Sequence, residues 1–268
     1  MPNPIDTLFS KFRAVKRKAF IPFVPAGDPD LATTAQLVRA LAKSGAALVE
    51  IGFPYSDPIA DGAVIQASYT RALARGLRID DIFRQIGPLA AELSIPLVAM
   101  ASFSLVHHRG AERFIEQASN AGFSGAIVPD LPIDEAGELG RLAAARDFKL
   151  IHLVTPTTPP ERAAQIARSS TGFLYVVSVT GITGERAQLP PEIIQQLDWL
   201  RGQASVPLCV GFGISKPEHV HMLRDHADGI IVGSALVRRL EQAGSKPEPR
   251  DIDAIADLGK ELVDALNG

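Results

Sequence analysis

The chain has 268 residues, 46% hydrophobic and 21% charged, with a formal net charge of −3. This composition suits an ordinary globular protein and leaves no basic surface for nucleic acid or an anionic membrane. The single cysteine, Cys209, excludes an intrachain disulfide and a thiolate metal cluster, and fits a reducing cytoplasm.

The opening residues, up to Arg17, lack the apolar core of a signal peptide. Within them, residues 4–12 read as a helix that caps one end of the fold. Short apolar runs follow at 19–25, 47–52, 96–101, 125–128, 150–154, 172–177, 207–210 and 229–232. Unbroken apolar runs suit strands buried on both faces, as in a parallel sheet. Amphipathic segments lie between them, at 31–43, 109–121, 134–146, 160–168, 192–201 and 216–225. The longest uncharged stretch, 93–106, is interrupted by Pro96 and serines and is too short to cross a bilayer. A polar linker at 245–250 leads into a last helix, 251–266, with Ile252, Ile255, Leu258, Leu262 and Leu266 on one face.

Eight strand–helix units in about 250 residues predict an α/β protein, a (β/α)8 TIM barrel, as one domain over residues 1–268. An extra N-terminal helix and a closing C-terminal helix complete it. The rival, an open doubly wound sheet, would normally carry a glycine-rich dinucleotide loop after its first strand. The residues there, Val24-Pro25-Ala26-Gly27-Asp28-Pro29, do not match that pattern.

In such a barrel, chemistry is expected at the C-terminal strand ends. Glu50 interrupts the apolar second strand, and a carboxylate there is expensive to desolvate. It is either half of a structural ion pair or a general acid or base with a raised pKa. The next loop offers Asp57 and Asp61, which either cap turns or share the work with Glu50. The seventh strand leads into Gly211-Phe212-Gly213-Ile214-Ser215, and the eighth into Gly233-Ser234-Ala235. These are tight turns or a phosphate site, in which bare N–H groups and a helix starting at Ser234 face the anion. The long sixth loop, with Gly181 and Gly184, reads as a lid or as a merely flexible connection.

Several chemistries lack their residues. Lys149 begins its strand and Lys216 starts a helix, so neither suits a Schiff base. His107 and His108 are adjacent and read as a surface pair, while His152 reads as a packed core residue; neither suggests a metal site. Acid–base chemistry on a phosphate ester, without metal or cofactor, is what remains.

Residues 48–62, from Leu48-Val49-Glu50-Ile51-Gly52 to Ala60-Asp61-Gly62, resemble the signature of the tryptophan synthase alpha chain family. So do Phe23–Pro29, Val128–Pro132, the 181–184 loop and Gly211–Ser215. The resemblance implies retro-aldol cleavage of indole-3-glycerol phosphate to indole and glyceraldehyde 3-phosphate. It assigns catalysis to Glu50 and Asp61, and apolar walls for indole to Phe23, Ile65 and Phe212. Tyr175 matches an active-site tyrosine, and Thr183, Gly184, Gly213, Gly233 and Ser234 fall in the substrate and phosphate loops. It also implies a cytoplasmic α2β2 tetramer of tryptophan biosynthesis, with Asp57 toward the beta chain and pyridoxal phosphate only in that partner. The chain departs from the family where a Tyr-x-Asn-type motif is replaced by Ser102 and Ser104, and at Val179, where many relatives carry Arg. A lyase acting alone, or a weakened barrel that activates a partner, are the alternatives.

Overall fold

A computed structural model describes residues 2–58, 61–178 and 190–268. Strands and helices alternate along it. β1 (Ala19–Pro25), β2 (Val49–Gly52), β3 (Leu97–Met100), β4 (Phe123–Ile127), β5 (Lys149–Ile151), β6 (Leu153–Val154), β7 (Leu174–Val177), β8 (Leu208–Gly211) and β9 (Gly229–Val232) form one parallel sheet. Their spatial order is β5-β4-β3-β2-β1-β9-β8-β7-β6. The terminal members, β5 and β6, are two parts of one strand separated only by His152, so the sheet closes on itself. Across the gap the His152 carbonyl still accepts from Tyr175 N at 3.0 Å, while its N–H turns to Ser170 Oγ at 3.1 Å. The eight expected strands are therefore present, the fifth locally interrupted.

Side chains alternate between two apolar layers because strand residues point to opposite faces. Ile21, Phe23, Leu48, Val98, Met100, Ile127, Ile151, Tyr175, Val177, Cys209 and Ile231 belong to the layer inside the barrel. Phe20, Val24, Val49, Ile51, Leu97, Ala99, Val176 and Val210 belong to the layer beneath the helices. By this alternation Glu50, between Val49 and Ile51, points inward.

The outer ring contains α2 (Leu31–Lys43), α3 (Ala63–Ala74), α4 (Ile79–Glu92), α5 (Phe103–Arg109), α6 (Ala111–Asn120), α7 (Gly137–Ala144), α8 (Pro160–Ser169), α9 (Glu192–Arg201), α10 (Pro217–Leu223) and α11 (Ser234–Ala243). The single segment expected over 109–121 begins instead at Ala111, because Gly110 at φ 85° separates α5 from α6.

α1 (Pro4–Ala14) covers the floor. Ile5 and Phe9 enter the interior layer, and Phe9 meets Phe173 at a 6.0 Å ring separation. Asn3 caps the helix by accepting from Ile5 N, and its Nδ2 donates to Ser124 O at 2.9 Å and Asp147 O at 2.6 Å. Lys149, at the start of β5, pairs with Asp6 and Asp147 at the same end, far from the strand tips as expected. The closing helix α12 (Pro249–Asn267) packs on α2, α10 and α11. It starts inside the expected linker because Glu248 and Asp251 make a capping box around Pro249. Among the described residues, no helix is long and apolar enough to cross a membrane.

Candidate active site

Glu50 sits in β2 in register with Phe23 of β1 and Val98 of β3, both inward-facing and apolar. Its side chain is fully buried, and neither carboxyl oxygen has a hydrogen-bond partner among the described residues. Burial holds its pKa well above the usual carboxylate range. The structural ion pair considered from sequence is absent among the described residues.

Asp61 reaches the same pocket from the β2–α3 loop and is 8% exposed. Burial, with a smaller push from Asp130, raises its pKa to about 6, while the hydrogen bond from Tyr55 Oη to Oδ2 at 3.3 Å acts the other way. Two carboxyl groups thus share a pocket under different constraints. The more buried one favours its protonated form, and the other is ionised at neutral pH.

The pocket lies at the strand tips. Phe23, Ile65, Tyr175 and Phe212 form its aromatic and aliphatic walls, and Gly213, Gly233 and Ser234 also line it. Tyr175 meets Phe212 edge to face at 6.0 Å. Its hydroxyl occupies the space that a side chain on Gly211 would fill. Phe212 and Gly213 both have left-handed backbone, at φ 75° and 74°. For Phe212 this is a strained conformation, anchored by Ser178 Oγ, which donates to the Phe212 carbonyl. α11 begins at Ser234, so the positive end of the helix faces the pocket. Glycine-bounded N–H groups beside a helix N-terminus suit a phosphate.

Nine of the residues expected here from sequence meet in this one pocket: Glu50, Asp61, Phe23, Ile65, Tyr175, Phe212, Gly213, Gly233 and Ser234. Asp57 does not join them; it is exposed, next to Ser56, whose Oγ donates to it at 2.6 Å. Thr183, Gly184 and Val179 lie outside the described residues. Sequence reading missed Met100, Ile214 and Ile231. Met100 and Ile231 follow the inward alternation at the ends of β3 and β9, a signal that strand-by-strand bookkeeping would have caught.

Two other readings hold. His107 and His108 are exposed. His152 is buried, and that burial lowers its pKa. Among the described residues, no group of His, Cys, Asp and Glu could hold a metal ion.

Comparison with known proteins agrees with this geometry. The family model described as "Tryptophan synthase alpha chain" matches residues 9–265. The chain belongs to the tryptophan synthase alpha chain family. The alpha chain of Rhodopirellula baltica is 45% identical over 266 residues, covering 98% of this chain and 95% of its own. That of Prochlorococcus marinus (strain MIT 9313) is 48% identical, over 89% of this chain and 87% of its own. Among solved structures, the tryptophan synthase subunit alpha of Legionella pneumophila superposes with a TM-score of 0.90 at 34% identity, covering 99% of each chain. A chain of Mycobacterium tuberculosis tryptophan synthase gives 0.89 at 30% identity, covering 100% of both.

At the third loop, where sequence leads one to expect a departure from the family pattern, Ser102 serves the backbone. Ser102 is buried and caps α5 by accepting from Leu105 N at 3.3 Å, with Ser104 Oγ 3.0 Å from its hydroxyl. Asp130 accepts from Phe103 N at 2.7 Å beside them.

Proposed function

We propose that this chain, like the lyases of its family, cleaves indole-3-glycerol phosphate to indole and glyceraldehyde 3-phosphate, with Glu50 and Asp61 as the catalytic residues. The phosphate rests on the N–H groups around Gly213, Gly233 and Ser234, with Thr183 and Gly184 contributing from the sixth loop. Indole lies between Phe23, Ile65, Tyr175 and Phe212. Glu50, starting protonated, gives its proton to indole C3. The ring nitrogen then carries positive charge, which ionised Asp61 stabilises by accepting from its N–H. The newly basic Glu50 takes the proton from the adjacent hydroxyl. The C–C bond breaks, its electrons return to the ring, and the hydroxyl carbon leaves as the aldehyde. Protons balance, so no metal or redox partner takes part in this scheme.

The observation that carries this reading is the Glu50 carboxyl, buried without a partner among the described residues, in a pocket that Gly213 and Gly233 also line. Such a group costs stability, and an acid–base role explains its presence.

Family membership brings a beta chain as partner. We place that partner on the face bearing Asp57, in a cytoplasmic α2β2 assembly of tryptophan biosynthesis. Pyridoxal phosphate belongs to the beta chain, and this chain itself works without a cofactor. The test is indole release from indole-3-glycerol phosphate with and without a beta chain. Release that rises strongly with the partner supports the subunit reading; equal release in both indicates a lyase acting alone. No release in either defeats the assignment.

A further inference from the structure

Asp61 enters the pocket from a loop, and a carboxylate on a loop needs something to fix its aim. Two devices do this, one from α3 and one from the loop itself. Gln66 donates from Nε2 to Asp61 O at 2.7 Å and to Pro58 O at 3.1 Å, which pins the backbone at positions 58 and 61. Tyr55 addresses the side chain directly, its hydroxyl donating to Asp61 Oδ2. The Tyr55 ring leans on that of Tyr69 at 5.7 Å and 53°. Tyr69 is itself immobile, being 2% exposed, and its hydroxyl lies so close above β2 that a Cβ on Gly52 would stand 2.6 Å from it.

We propose that Tyr55 is a positioning residue, whose hydroxyl, braced by the buried Tyr69 ring, aims the Asp61 carboxylate into the pocket and keeps it an acceptor for the substrate's ring N–H. The inference rests on the cleavage reading above.

The surroundings show why such a donor is needed. Among the described residues, the titratable groups around Asp61 are Tyr55 from its own loop, Asp130 from the loop after β4, Tyr69 from α3, Tyr175 from β7 and, in the same pocket, Glu50 from β2. None is a cation, and among the described residues no ion pair reaches Asp61. Burial and Asp130 both favour its neutral form, in which one oxygen carries a proton and becomes a donor; the Tyr55 hydrogen bond opposes them.

Tyr55→Phe removes one oxygen and leaves the ring on Tyr69. The experiment measures kcat/KM for indole release from pH 5 to 9 in the wild type, Tyr55→Phe, Asp61→Asn and the double variant. In the same chains it follows inhibition by inorganic phosphate. The expected result is an acid limb moved upward by about half a pH unit in Tyr55→Phe, hence a loss of about three-fold near pH 5.5 that shrinks as pH rises. Phosphate inhibition stays unchanged, and Tyr55→Phe adds no loss to Asp61→Asn. An unmoved limb, or an equal loss at every pH that persists in the Asp61→Asn background, overturns the inference. Carbon NMR titration of the Asp61 carboxyl, assigned by its absence in Asp61→Asn, provides a readout independent of turnover. Its midpoint should rise in Tyr55→Phe. If the wild type cleaves nothing, the cleavage reading falls, and this titration alone judges the hydrogen bond. If the wild type cleaves and the midpoint stays fixed, only the inference about Tyr55 falls.

Discussion

At the floor of the barrel, Lys149 stands between Asp6 and Asp147, with Nζ–O distances of 2.6 and 2.9 Å, and both carboxylates are about half exposed. At the mouth, among the described residues, the wholly buried Glu50 carboxyl has no partner and the Asp61 carboxyl has only a long hydrogen bond from Tyr55. The floor follows the rule for stability, in which charge is paired and kept near water. The mouth breaks that rule twice within one pocket. The difference separates residues that hold the barrel together from residues that strain it, and chemistry is expected where the strain is.

The sharpest way to break this contrast is Glu50→Gln. Indole release should fall by about 10²–10⁴-fold, the usual range for a general acid–base group, measured by steady-state assay, while phosphate inhibition remains. Because the folded-state pKa of Glu50 is raised, wild-type stability falls as pH rises through that value. The Gln variant lacks the fall and should melt above the wild type at pH 8. Full activity, or a lower melting temperature at pH 8, would place Glu50 with the floor residues.

Asp61→Asn comes next, with an expected loss of about 10²-fold in kcat. The rise in its pKa from 3.8 to about 6 corresponds to about 3 kcal/mol. The folded chain holds this proton more tightly than the unfolded one. The benefit is complete below pH 4 and lost as pH climbs through 6. Denaturant titrations should therefore show Asp61→Asn gaining on the wild type by up to about 3 kcal/mol between pH 4 and pH 7. Parallel curves for the two proteins would make Asp61 a turn residue.

Gly213→Val tests the phosphate end. A β-branched residue at φ 74° adds backbone strain of about 1–3 kcal/mol, and its side chain would crowd the site. Phosphate binding should weaken about tenfold in a competition assay; unchanged binding moves the anion elsewhere. Lys149→Met should do least: stability within about 1 kcal/mol of the wild type by denaturant melt and indole release unaltered, since exposed ion pairs contribute little.

Much of the architecture was legible in the sequence because both faces of nearly every strand are buried, which makes the runs continuous. The interruption at His152 was not legible, since nothing in the run 150–154 marks a residue whose N–H leaves the ladder for Ser170. Nor did α3 stand out as an amphipathic segment. Ile65, Ser68, Tyr69 and Ala72 share its buried face, but Ser68 is polar and Ala63, Leu73 and Ala74 lie off that face, which blurs the apolar stripe. Glu50 announced itself as a charge inside an apolar strand. Asp61 was ambiguous, a loop acid before glycine, and needed the pocket to resolve it. Tyr55 and Gln66 left no sequence signal of their importance, because their work depends on where α3 lies.

The lone carboxyl at Glu50 also has an evolutionary consequence. A neutral replacement of similar size there is expected to make the barrel sturdier, so drift runs downhill away from turnover. A lineage released from selection would shed its reaction long before its shape, leaving inert barrels that superpose well on working ones. In this family, the residue at the second strand tip would then distinguish a living enzyme from its fossil better than overall likeness does.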